Sequence, residues 1–273
     1  RVLESVYMHM KKVMDPKLYD EWCEFSPQSH FPFTLRGQFF LEQAFSLGGA
    51  DPTILLQRKN RTYYKYALTM AKNNLENAYE IRPKAPGPPA LMTALCILSG
   101  AHAVEMETWF DRAVSADPAW IGAYRSKLLY LSPRYQGSEQ KMFLFANECF
   151  NNSPPGTSVY TIALEYIRQK MLSYGDTIAG EQFLLKPAVY ELIINGIDRY
   201  RNDFPDAPLI EVYTDLLKKS ILNPYEAIAA FSQTLEKSPN KNAARRGRAD
   251  AYILSKQYAK ATDDLLELLK KKP

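Results

Sequence analysis

Chemistry-bearing residues are scarce in this chain: three cysteines and three histidines are all that its 273 residues contain. Cys23, Cys96 and Cys149 lie far apart in apolar surroundings, and no C-x-x-C occurs. That spacing excludes a disulfide framework or a zinc ribbon, and it favours small core residues in a reducing compartment. His9, His30 and His102 are well separated, and none stands one helical turn from a second ligand in a zinc pattern. Glu105 and Glu107, near His102, fit a solvated helix start. The 12 glycines form neither a phosphate-binding loop nor a G-x-S-x-G elbow. Gly48, Gly49 and Gly87 are expected in turns. No apolar run approaches the length of a membrane span, and the mean hydropathy is −0.33. Charge of one sign is also missing. The 34 basic and 30 acidic residues leave a net +4, which does not argue for nucleic acid. No catalytic residue, metal or cofactor is therefore expected. A carboxylate pair assembled from distant segments is the one route to an active site that motifs leave open. Acidic pairs such as Asp263 and Asp264, with lysines about a turn away, read as salt-bridged surface.

Proline and small apolar residues are there in a register. Ala227 and Ala261 are 34 residues apart, as are Phe231 and Leu265, and Pro239 and Pro273. Thirty-four is the period of a two-helix tetratricopeptide unit. Pro205 and Ile197 extend the register backwards. Leu75, Ala78 and Pro83 match Phe110, Ala113 and Pro118 at a spacing of 35. Pro154 follows, with Ala146 and Cys149 in the corresponding places. Seven units are expected, ending near Pro27, Pro83, Pro118, Pro154, Pro205, Pro239 and Pro273.

The physical logic is simple. Proline just past a helix ends it. Small residues (Ala94, Ala113, Ala227, Ala249, Ala261) let paired helices approach. Large ones (Phe110, Phe231, Tyr252, Leu265) fill the space between. Two intervals are too long for one repeat. In the first, a long helix, a loop at Leu47–Pro52 and a second long helix from about Arg61 to Ile81 are expected. In the second, Ser173–Asp176 interrupts the helices. No strand alternation of useful length occurs. The expected fold is all-α, an α-α superhelix of the tetratricopeptide-like solenoid type with about fourteen helices. It divides softly near 150–157 into an irregular half (1–150) and a half ending in regular repeats (151–273).

The run Trp109-Phe-Asp-Arg-Ala-Val-Ser-Ala-Asp-Pro118, then Ala123-Tyr-Arg-Ser-Lys127, then Leu131-Ser-Pro-Arg-Tyr-Gln-Gly-Ser138 resembles the bacterial domain-of-unknown-function family 4034. Leu35-Arg-Gly-Gln-Phe-Phe40 with Ala44-Phe45 resembles that family's opening motif. The likeness covers roughly residues 20 to 150. It departs at Leu47, where the family often carries arginine. It implies a tetratricopeptide-like fold and a bacterial origin, and it implies no established activity. Arg1 in place of methionine reads as a trimmed or processed start. The bacterial cytoplasm is the expected location, with the periplasm or secretion left open.

Two constellations are candidates for a binding surface. Arg36, Arg112, Tyr124, Arg125, Lys127 and Tyr130 accompany Trp109 in the family-like part. Tyr124, Lys127 and Tyr130 are spaced three apart on one helix face. They fit a groove that holds an acidic or C-terminal peptide group, or aromatics that pack between repeats beneath bridging basic heads. The second is the basic stretch Lys237 to Lys260, where Arg246 and Asp250 are expected to point into the groove. An acidic partner segment or a solvated basic face fits that stretch. The expected function is a non-catalytic interaction scaffold that binds a peptide or partner domain on its concave face. An immunity or adaptor protein that neutralises a bacterial toxin, and an enzyme with a pocket between repeats, are the rivals.

Overall fold

A computed structural model of the chain describes residues 16–48, 58–135, 137–175, 177–204 and 224–270. These residues are all-α, as expected. They form α1 (Pro16–Phe25), α2 (His30–Gly48), α3 (Arg58–Ile81), α4 (Gly87–Ser99), α5 (Ala103–Ala116), α6 (Ile121–Tyr130), α7 (Glu139–Asn151), α8 (Thr161–Tyr174), α9 (Ile178–Leu184), α10 (Pro187–Asp203), α11 (Pro224–Lys237), α12 (Asn242–Leu254) and α13 (Tyr258–Lys270). No strand occurs among the described residues. No helix among them is long and apolar enough to cross a membrane.

The proline register marks real helix ends. α1, α3, α5, α7 and α11 stop shortly before Pro27, Pro83, Pro118, Pro154 and Pro239. Pro205 and Pro273 lie outside the described residues, as do His9, Gly49–Pro52 and Asp176. The first long interval holds α2 of 19 residues and α3 of 24. The second holds one extra element, the seven-residue α9 between α8 and α10. Gly87 corrects an expectation. It opens α4 instead of sitting in a turn with positive φ, because Pro88 and Pro89 fix the first helical turn behind it. The left-handed position belongs to Gly100, φ 67°, which closes α4 by donating its amide to the Cys96 carbonyl.

Two compact units are present, and they meet in sequence at Met142 and Phe143. The division falls inside α7 and not in the 150–157 segment, where composition had put it. The Phe143 ring lies 5.9 Å from Tyr166 of α8, so this part of α7 packs with α8.

In the first unit α2 packs along α3, α4 packs on α3 and α5, and α2, α4 and α6 lie side by side. Leu41, Ala71, Leu75, Met92, Cys96, Met106, Trp109 and Tyr130 are among the residues of one core. In the second unit α10 and α11 both pack on α12, and α13 packs on α12. Its core gathers Tyr190, Ile194, Ala227, Phe231, Leu235, Ala244 and Ala251.

Ala113, Ala227, Ala249 and Ala261 are buried, as their register requires. Leu265 differs. It is exposed rather than filling a seam, because α13 turns that face away from α12. All three cysteines are buried, and none forms a disulfide.

Gly247 is the tightest contact in the second unit. A Cβ there would stand 2.7 Å from both the Phe231 and the Tyr190 rings. Both rings are buried and cannot step aside cheaply. Gly247→Ala is expected to destabilise the protein by about 1–3 kcal/mol. A urea unfolding midpoint equal to wild type would contradict this packing.

Candidate functional site

An open groove lies on the first unit. Three alternate helices supply one stripe each. From α2 come Gln38, Leu41, Glu42, Phe45 and Ser46, and from α4 come Leu91, Ala94, Ile97 and Leu98. From α6 come Ile121, Gly122, Arg125, Ser126 and Leu129. Every stripe recurs at three- to four-residue steps, as one helix face must. The groove comprises two cavities of about 350 and 380 Å³. They share Gln38, Leu91, Ala94 and Ser126, and so form one trough. Its lining is mainly apolar, with Gln38, Glu42, Ser126 and Arg125 as polar points. Such a surface suits an apolar segment with a few hydrogen-bonding groups.

The sequence-derived stripe on α6 lies on a different face. Tyr130 is 2% exposed, and its hydroxyl donates to the Ala101 carbonyl at 2.8 Å. Tyr124 sets its ring edge-on to Phe110 at 5.2 Å and donates to the Pro118 carbonyl at 3.1 Å. Lys127 pairs with Glu107 at 2.6 Å and lies 4.1 Å over the Phe110 ring. All three turn toward α5 and the loops on either side of it, so the packing reading describes them and the groove reading does not.

Arg36 turns toward α1 and pairs with Asp20 at 2.5 Å. Arg112 lies 4.4 Å over Trp109 and 4.9 Å over Tyr79. Of that constellation only Arg125 lines the groove. Ala94 was expected to serve helix approach and instead forms part of the groove wall. Leu91, Ser126 and Leu129 carried no signal, because their residue types match those of the core.

The basic stretch of the second unit is answered by acids from neighbouring helices. Arg246 forms an ion pair with Asp198 of α10. Asp250 accepts a hydrogen bond from the Tyr190 hydroxyl at 3.1 Å. Burial is the main reason its carboxyl lies above the ordinary value; the Tyr190 hydrogen bond and Arg246 oppose that rise. Tyr190 is pushed up as well, by burial and then by Asp250. Arg248 donates to both oxygens of Asp264 at 2.8 and 2.7 Å, and Arg245 reaches the same carboxylate at 3.4 Å. Asp264 is thus a buried bridge between α12 and α13, not salt-bridged surface. Lys241 pairs with Glu191 at 3.2 Å. Arg246 and Asp250 therefore each bind a group of α10, and the Arg246–Asp198 pair stays part-exposed.

Burial pushes the Cys96 thiol up to about 12, the opposite of a reactive cysteine. His30 is a different case. It opens α2, is 6% exposed, and its Nδ1 has no hydrogen-bond partner among the described residues. Burial, then Arg82, lowers its pKa from 6.5.

Both buried groups can be tested. Asp264→Asn leaves two arginines facing a neutral group, and a loss of about 3 kcal/mol is expected in chemical denaturation. For His30 the folded state disfavours the imidazolium. The stability it contributes is complete above its ordinary value and is lost as pH falls through the depressed one. The wild type should therefore lose unfolding free energy below about pH 6.5 more steeply than His30→Gln. Parallel pH profiles would remove His30 from this account.

No protein-family model matches the chain, and no curated protein matches it. The groove and its chemistry carry the functional reading.

Proposed function

We propose that this chain is a non-catalytic binding module whose first unit takes a peptide or partner segment in the groove between α2, α4 and α6. The groove carries this reading: an open, mainly apolar trough built from alternate helices of a stack. Alternate helices that present one row of side chains are what a tetratricopeptide-like repeat requires, and the 35-residue spacing from Ala78 and Pro83 to Ala113 and Pro118 in this unit agrees with it. The family likeness in residues 20 to 150 falls on this same unit. The occupant is an amphipathic or extended segment that buries apolar side chains against Leu91, Ala94, Leu98 and Leu129. A basic residue of the partner would meet Glu42, and an acidic one Arg125.

A displayed library of random peptides tests this. Enriched peptides should share spaced apolar anchors, and Leu91→Glu or Ser126→Arg should weaken them by about tenfold or more. Lys127→Glu and Arg246→Glu lie off the groove and should leave peptide affinity unchanged. No enrichment, or equal affinity for the groove variants, would sink the proposal.

A further inference from the structure

A second, smaller cavity of about 210 Å³ lies in the first unit, where α2 and α4 begin and α6 is about to. His30, Arg82, Lys84, Pro86, Gly87 and Trp120 line it. Its charge balance differs from that of α12. Each arginine of α12 meets a carboxylate, and so does Lys127. No carboxylate lines this cavity, and among the described residues Arg82 and Lys84 form no ion pair. The His30 ring stands in the wall, almost fully buried, with a nitrogen that no described group satisfies. The N-terminal ends of α2 and α4 add partial positive charge. Two cations and the N-termini of α2 and α4 stand in one hollow beside an unsatisfied imidazole, and no carboxylate of the lining neutralises them.

We propose that this cavity is a binding site for a phosphate group. Phosphate carries close to two negative charges near neutral pH, which matches Arg82 and Lys84 together, whereas a carboxylate would neutralise one of them. The Arg82 guanidinium can bridge two phosphate oxygens, and Lys84 supplies a mobile point charge. The volume holds one phosphate group with a few waters, since a water occupies about 30 Å³ of liquid. The Trp120 ring forms an apolar wall, which leaves the charged groups to fix the orientation. The phosphate is either free or carried on a serine or threonine side chain. The site does not require a peptide in the groove, although Gly87 and Trp120 line both hollows.

The test is calorimetric titration of the whole chain with inorganic phosphate and, separately, with acetate at equal ionic strength. Saturable phosphate binding is expected, with Arg82→Gln and Lys84→Gln each weakening it by about tenfold or more. Both side chains are exposed, so neither substitution threatens the fold. Lys237→Gln in the second unit should change nothing. The His30 ring signals in NMR should move with phosphate saturation, and in Arg82→Gln should move only at about tenfold higher phosphate. Phosphoserine binding tenfold tighter than inorganic phosphate would assign the group to a modified side chain, and equal affinity would assign it to free phosphate. Both support the site. Absent binding, binding untouched by both substitutions, or acetate binding as tightly as phosphate would overturn it.

Discussion

The close approach of paired helices is the constraint on which the rest of the first unit depends. Along the α2–α3 seam the contacts fall on Gly37, Ala44, Ala67, Ala71 and Ala78, and the alanines are fully buried. A Cβ on Gly37 would stand 2.7 Å from the Leu75 side chain, so Leu75 occupies the space that a side chain at position 37 would need. Helices this close pack along their length and leave no polar seam between them. The large residues are then pushed to the ends and sides of each pair. Tyr79 and Trp109 meet edge-on at 5.4 Å between α3 and α5. With α3 and α5 holding the back, α2, α4 and α6 are left as one row, and the groove is the face of that row.

The two units use charge differently. In the second, α12 carries three arginines within four positions, a density that would repel itself on an open surface. Asp264 and Asp198 resolve it from neighbouring helices, and the arginines become cross-links between elements. Such pairs add little net stability over apolar packing, yet breaking one strands a charge. They therefore fix which helix meets which. In the first unit the arginines are spread out. Arg36 and Arg112 find an acid and two rings. Arg82 and Lys84 have no such partner among the described residues and stand beside a hollow, and that contrast gives the cavity its meaning.

Much of the fold was legible in the sequence, because helix ends and helix seams are local matters. A proline past the last turn stops a helix whatever surrounds it, and Pro27, Pro83, Pro118, Pro154 and Pro239 all did so. Alanines at 34- and 35-residue steps marked seams because only a small side chain permits close approach. The long α3 and the break after Tyr174 came from overlong intervals read together with the loop-forming residues at Leu47–Pro52 and Ser173–Asp176. The boundary of the two units was less legible, because α7 has no breaker at Met142.

The surface was decided by tertiary structure. Tyr124, Lys127 and Tyr130 share a helix face, and periodicity established that much; it could not say whether the face looks at α5 or at a partner, since amphipathic side chains satisfy both. Arg246 and Asp250 are one turn apart by sequence, but their partners Asp198 and Tyr190 come from α10, some fifty and sixty positions away. The groove residues Leu91, Ala94, Ser126 and Leu129 look like core until three helices set them side by side. The sequence by itself determined the helices, their ends and the seams between partners, because those depend on neighbours within a turn or two. Only the tertiary structure decided which charges are neutralised and which face stays open, because both depend on side chains that different helices bring together.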